Sequence, residues 1–143
     1  MGPSKEEDPR RVALRREVLA LALGKRKRGT KYRSQPRRYN GILYASRAEA
    51  ARAEELDLLV AAGELVWWIR QPTLYLGCAE NVYRPDFLVI PVKGRPFFED
   101  VKGVETQKFA RDKKLWRSYG RLELRIIKGG SVVEIIDPME GNP

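Results

Sequence analysis

The sequence predicts a mixed α/β domain in which helices pack on a mixed sheet, and three observations carry that expectation. Segments that read as strands recur at 65–76, broken at Gln71-Pro72, and at 86–90, 97–102, 122–127 and 132–136. Two longer stretches, Ser46 to Ala62 and Thr106 to Tyr119, place apolar residues at helical spacing; each opens on a hydroxyl residue and is closed by a glycine. From Asn40 the order therefore reads β, α, β, β, β, α, β, β, one domain's worth of elements in a chain of 143 residues with 43% apolar content.

The first element is a helix from Pro9 to Leu23, with Val12, Leu14, Val18, Leu19, Leu21 and Leu23 on a broad apolar face and Gly24 as its stop. Such a face must be covered, by the chain's own domain or by a partner chain. Lys25 to Arg38 is basic, holds Gly29 and Pro36, lacks an apolar period and reads as an extended arm. Lys25, Arg26, Lys27, Arg28, Lys31, Arg33, Arg37 and Arg38 are its candidate phosphate contacts, with Tyr32 placed to stack on a base. A solvated linker or a localisation tract explains the same composition. The chain thus divides into a helix and arm at 1–38, a core at 39–137, and a tail at 138–143 that should fray.

Asn40 to Ala45 is a short strand, and Ser46 then caps a helix. Glu49 stands at the capping-box position, three residues after Ser46. It also heads the series Glu49, Ala53, Leu56, Val60, which is the stripe that faces the sheet, whereas Arg47, Glu54 and Asp57 mark the outer face. Leu65 to Arg70 and Thr73 to Leu76 are strand pieces separated by Gln71-Pro72. Trp67 and Trp68 point to opposite faces, one a core residue and the other a candidate subunit contact, the alternative being that the chain's own helices cover both. On the second core helix Lys108, Lys113 and Lys114 are candidate phosphate contacts, a solvated basic face being the alternative. Lys128-Gly129-Gly130 joins the last two strands.

Charge is unevenly placed. Residues 1–40 hold 13 Lys or Arg against 4 acids and so carry the whole net charge of +9, while residues 41–143 hold 15 against 15. A neutral body with a basic appendage suits a polyanion, nucleic acid before an anionic membrane surface. With no histidine and a single cysteine, Cys78, the chain has neither a His-based triad nor a zinc set nor an intrachain disulfide. No apolar run is long enough to cross a bilayer and no signal-peptide pattern is visible, so the expected location is intracellular.

Charge inside strands marks the candidate site. In Tyr83 to Lys102, YRPDFLVIPVKGRPFFEDVK, alternation sets Asp86, Leu88 and Ile90 on one face of the first strand, and Phe98, Asp100 and Lys102 on one face of the second. Asp86 meets Asp100 on a shared face only if the connecting loop has odd length or a bulge; a plain two-residue loop would part them. Two carboxylates in a partly dry site repel unless a cation or proton compensates, and oxygen donors of this kind suit Mg²⁺ or Mn²⁺. The plain alternative is a pair of solvated strand-end acids with a surface lysine.

Pro85-Asp86 followed by Asp100-Val101-Lys102 at the end of the next strand resembles the PD-(D/E)xK nuclease signature. The likeness extends over about residues 39–130, through Gly41-Ile42, Ser46-Arg47-Ala48-Glu49, Ala62-Gly63-Glu64, Gln71-Pro72, Arg84-Pro85-Asp86-Phe87 and Glu99 to Gly103, and resembles small phage-type nucleases with resolvase-like members. It implies a restriction-endonuclease-like αβββαβ core with an extra N-terminal helix. It further implies Asp86, Asp100 and the Val101 carbonyl as metal ligands, Lys102 as the residue assisting the attacking water, and Glu49 as a third acid at the metal. The implied activity is Mg²⁺-dependent cleavage of DNA, most of all of four-way Holliday junctions, by a homodimer. A non-catalytic nucleic-acid-binding module of the same fold, or a nuclease of this superfamily with another DNA substrate, is the competing reading.

Overall fold

Residues 9–24 and 35–138 are described in the computed structural model of the chain. In chain order the elements are α1 (Pro9–Gly24), β1 (Arg37–Tyr39), β2 (Ile42–Tyr44), α2 (Arg47–Ala61), β3 (Leu65–Arg70), β4 (Leu74–Tyr75), β5 (Val82–Tyr83), β6 (Phe87–Pro91), β7 (Phe97–Val101), α3 (Gln107–Tyr119), β8 (Leu124–Lys128) and β9 (Ser131–Ile136). β3, β6, β7, β8 and β9 lie side by side in that order as one mixed sheet. All its neighbours are antiparallel except β7 and β8, whose parallel pairing is made possible by the crossover through α3.

Alternation sorts the core into two layers, one on each side of this sheet. Phe87, Val89 and Phe97 pack with Ala50, Ala53 and Leu56 of α2, and Tyr44 and Leu65 close that layer. On the other side Phe98, Leu124 and Ile126 pack with Phe109 and Trp116 of α3. The faces predicted for the β6 and β7 segments are the faces observed. A mixed α/β fold follows, with β7 central and covered from both sides.

Helix boundaries obey local chemistry. The Ser46 hydroxyl accepts the Glu49 N–H at 3.1 Å and the Thr106 hydroxyl accepts the Phe109 N–H at 3.2 Å, each satisfying a free donor of a first helical turn. Gly63, at φ +77, supplies the left-handed backbone that ends α2. α1 packs against α2 of its own chain, and Arg15 is ion-paired with Glu64.

Two features differ from the expectation. Arg37 and Arg38 are not part of an extended arm, because β1 pairs with β2 through a turn at Asn40-Gly41, both at positive φ. Tyr39 then anchors the hairpin by donating its hydroxyl to Asp57 at 2.5 Å. The piece at 73–76 does not join the main sheet either. β4 pairs with β5 in a separate two-stranded ribbon, because Gln71 at φ +46 and Pro72 turn the chain out of β3. Residues 139–143 lie outside the described residues.

Candidate functional site

The site grows from the register of β6 against β7. Phe87 stands opposite Glu99, Leu88 opposite Phe98 and Val89 opposite Phe97. One further step along the same register sets Asp86 across from Asp100, which is the odd-loop condition read from the sequence. Asp86 accepts the Val101 N–H through Oδ2 at 2.7 Å, so the carboxylate is fixed to the backbone of the opposing strand.

Asp100 is 1% exposed. Its Oδ2 accepts the hydroxyl of Tyr83, itself buried, while its Oδ1 lies 3.1 Å from Lys102 Nζ yet receives no hydrogen bond of good geometry. Lys102 Nζ also stands 5.0 Å from the centre of the Phe109 ring, a cation–π contact that leans the side chain over the α3 end of the site. Burial and the neighbouring Asp100 charge push the Asp86 carboxyl up to about 8, against the opposing pull of the Val101 N–H. The Tyr83 phenol is pushed up as well, first by burial and then by Asp100.

Glu49 approaches from α2. Burial raises its carboxyl, the Ser46 hydroxyl and then the Lys102 charge oppose the rise, and Asp100 adds to it. Half-buried at the helix start, Glu49 therefore interacts with its own cap and also senses the acid pair; the two readings of this residue are compatible. Among the described residues no three His, Cys, Asp or Glu side chains converge as a metal-holding group, so the close unit is the pair Asp86 and Asp100 with Lys102, and Glu49 stands back from it.

Tyr83 and Asp112 belong to the site's surroundings, a place the sequence did not assign to either. Asp112, buried on α3, has its carboxyl raised by burial, with the charges of Lys108, Arg111 and Lys102 opposing and Asp100 adding. Its i, i+3 relation to Phe109 was the available signal for a residue on the inward face. For Tyr83 the only signal was its position in the same alternating stretch as Asp86.

Of the expected phosphate contacts, Lys25, Arg26, Lys27, Arg28, Lys31 and Arg33 lie outside the described residues. Arg37 and Arg38 are exposed on β1, and Lys108 and Lys114 are exposed on α3. Lys113 is a correction. It is buried, its Nζ is 2.9 Å from Glu105 and 3.1 Å from Glu134, and it stacks at 5.4 Å over Phe109. Two carboxylates already satisfy that ammonium, so it ties α3 to β9 and is not open to a phosphate.

Hard oxygen donors suit a hard divalent cation, and two observations fit one here: a buried Asp100 oxygen without a hydrogen bond, and an Asp86 carboxyl pushed up first by burial and then by the Asp100 charge, both of which a cation would offset. Fold and site together define a mixed α/β domain with an acid pair, Asp100 buried and Asp86 partly so, and a lysine at adjacent strand ends. The family described as "Protein of unknown function (DUF1064)" matches residues 29–132, more than half of the chain, and the chain belongs to that family. No curated protein and no solved structure matches it. No helix among the described residues is long and apolar enough to cross a membrane.

Proposed function

We propose that the chain is a divalent-metal-dependent DNA endonuclease that hydrolyses phosphodiesters, with branched four-way junctions as its preferred DNA, acting inside the cell as a homodimer. The observation that carries the reading is the pairing of Asp86 with Asp100 across one register step, with Lys102 Nζ 3.1 Å from Asp100 Oδ1. Surface acids meeting by accident would be solvated, whereas Asp100 is buried and Asp86 partly so. The preference for junctions rests on the resemblance alone; the dimer rests on the resemblance and on Trp67, 59% exposed on the edge strand β3, where a second copy would meet the sheet.

Hydrolysis adds water to phosphorus and breaks the bond to the 3′ oxygen, so it needs a positioned nucleophile, cover for the phosphoryl charge, and a proton for the leaving oxygen. Mg²⁺, or Mn²⁺ in its place, would be held by Asp86, Asp100 and the Val101 carbonyl, with Glu49 behind them, and supplies Lewis-acid charge to the phosphoryl oxygens. The attacking water would give a proton to solvent and the leaving 3′ oxygen would take one from it, so the protein's own groups have to position and to offset charge. Val101 N–H fixes Asp86, the strand geometry fixes Asp100, and the Lys102 ammonium stands beside them to orient the water and offset charge as it develops.

The test is cleavage and binding of a labelled four-way junction, a duplex and a flap by the wild type and by Asp100→Asn. Mg²⁺-dependent cutting by the wild type, lost in Asp100→Asn while binding persists, supports the reading. Binding by both without cutting by either would make the domain a nucleic-acid-binding module instead.

A further inference from the structure

We infer that Tyr83, which the signature does not include, is a positioning residue for Asp100: its hydroxyl holds Oδ2 and so leaves Oδ1 as the one carboxylate oxygen presented to a cation. The inference rests on the metal-site reading above and adds a residue to it. Asp100 is 1% exposed and has two oxygens in different states, Oδ2 accepting from Tyr83 and Oδ1 buried without a hydrogen bond beside Lys102. A carboxylate on a two-fold torsion would otherwise turn either oxygen to the site. A donor fixed on one side removes that freedom, as outer hydrogen bonds to ligating carboxylates do.

The donor is itself fixed from several directions. The Tyr83 ring lies edge-on to Trp116 with centroids 5.7 Å apart. Its backbone belongs to the β4–β5 ribbon, where Leu74 faces Tyr83 and Leu76 N–H donates to Asn81 C=O at 2.9 Å. Asn81 ties the ribbon down twice more, donating Nδ2–H to Leu76 C=O at 3.1 Å and accepting from Arg111 of α3 at 2.8 Å. A two-residue ladder too small to stand alone is thus pinned to the body at the residue next but one to Tyr83. The ribbon's place in the fold is to deliver that hydroxyl.

Tyr83→Phe keeps the ring and its packing on Trp116 and deletes only the donor. The experiment measures Mn²⁺ binding by calorimetry, without DNA, for full-length wild type, Tyr83→Phe and Asp100→Asn, with thermal unfolding of each. The expected result is that the wild type binds, Asp100→Asn does not, and Tyr83→Phe binds about tenfold more weakly or worse while still unfolding cooperatively. Wild-type affinity in Tyr83→Phe, with binding lost in Asp100→Asn, overturns the inference and leaves the metal site standing. Absence of Mn²⁺ binding in the wild type overturns the metal site and this inference with it. If Tyr83→Phe has no folded baseline, Asn81→Ala decides: being neutral, it loosens the ribbon without altering the site's charge, and weakened binding supports positioning whereas unchanged binding rejects it.

Discussion

At the scale of single residues, the acid pair sets the pH behaviour. The Asp86 carboxyl titrates near 8 in the folded protein and near 3.8 when unexposed to its neighbours. Between those values the folded state binds more protons than the unfolded state, so stability without metal is fully present below about pH 4 and falls as the pH rises through 8. Asp86→Asn should flatten that fall and raise the melting temperature at pH 8, by roughly 3 °C for each kcal/mol of relieved repulsion. Unchanged melting across that range would show that the pair is not repelling. Divalent cation should restore wild-type stability at pH 8, since it binds only the ionised pair. Glu49→Gln should reduce cleavage more than stability; the opposite order would make Glu49 a helix cap and nothing more. Asp86 meeting Asp100 was legible because alternation and loop parity are local counting rules. Tyr83 and Asp112 were not, because both reach the site through contacts between distant segments; the period of each stretch gives at most the face, and not the partner. Lys113 was misread because its helix carries basic residues widely, and it takes the placement of Glu105 before α3 and of Glu134 on β9 to show which lysine is occupied.

At the scale of elements, β7 is held by a buried ion pair on the face opposite Asp100. Arg52 of α2 forks onto Glu99 at 2.7 and 2.6 Å and takes Glu55 at 2.9 Å. Glu99 is 1% exposed, so removing its partner leaves a buried charge. Arg52→Ala should cost about 3 kcal/mol, read from denaturant unfolding, and a double change to Arg52→Met and Glu99→Leu should recover much of it. A cost below about 1 kcal/mol would mean that α2 and β7 are held by their apolar contacts alone. The helices were legible from caps and period, and the structure ends them where the hydroxyl and glycine signals fall. The β4–β5 ribbon was not, because a ladder of two residues has too short an alternation to announce a partner. The β1–β2 hairpin had an announced turn, Asn40-Gly41, that the surrounding basic composition obscured.

At the scale of the whole molecule, the excess positive charge lies in residues 1–40, outside the acid pair's strands. If Lys25 to Arg33 track phosphates, deleting residues 1–34 should weaken DNA binding and flatten log affinity against log salt by roughly 0.9 per lost contact on duplex arms. That boundary spares the β1–β2 hairpin. The deletion also removes α1, so sedimentation must accompany it: an unchanged salt slope makes the segment a linker, and a change of mass makes α1 an assembly element. Catalysis at saturating DNA should persist, since binding common to ground and transition states leaves the chemical step alone. The central claim is that Asp86 and Asp100 act as one unit on the reacting phosphate. Single-turnover cleavage of a four-way junction at saturating Mg²⁺, by wild type, Asp86→Asn, Asp100→Asn and the double variant, tests it most directly. Each single change should cost at least about a thousandfold and the double no more than either, because parts of one device fail together. A single variant that keeps most of the wild-type rate, or two losses that multiply, would contradict it.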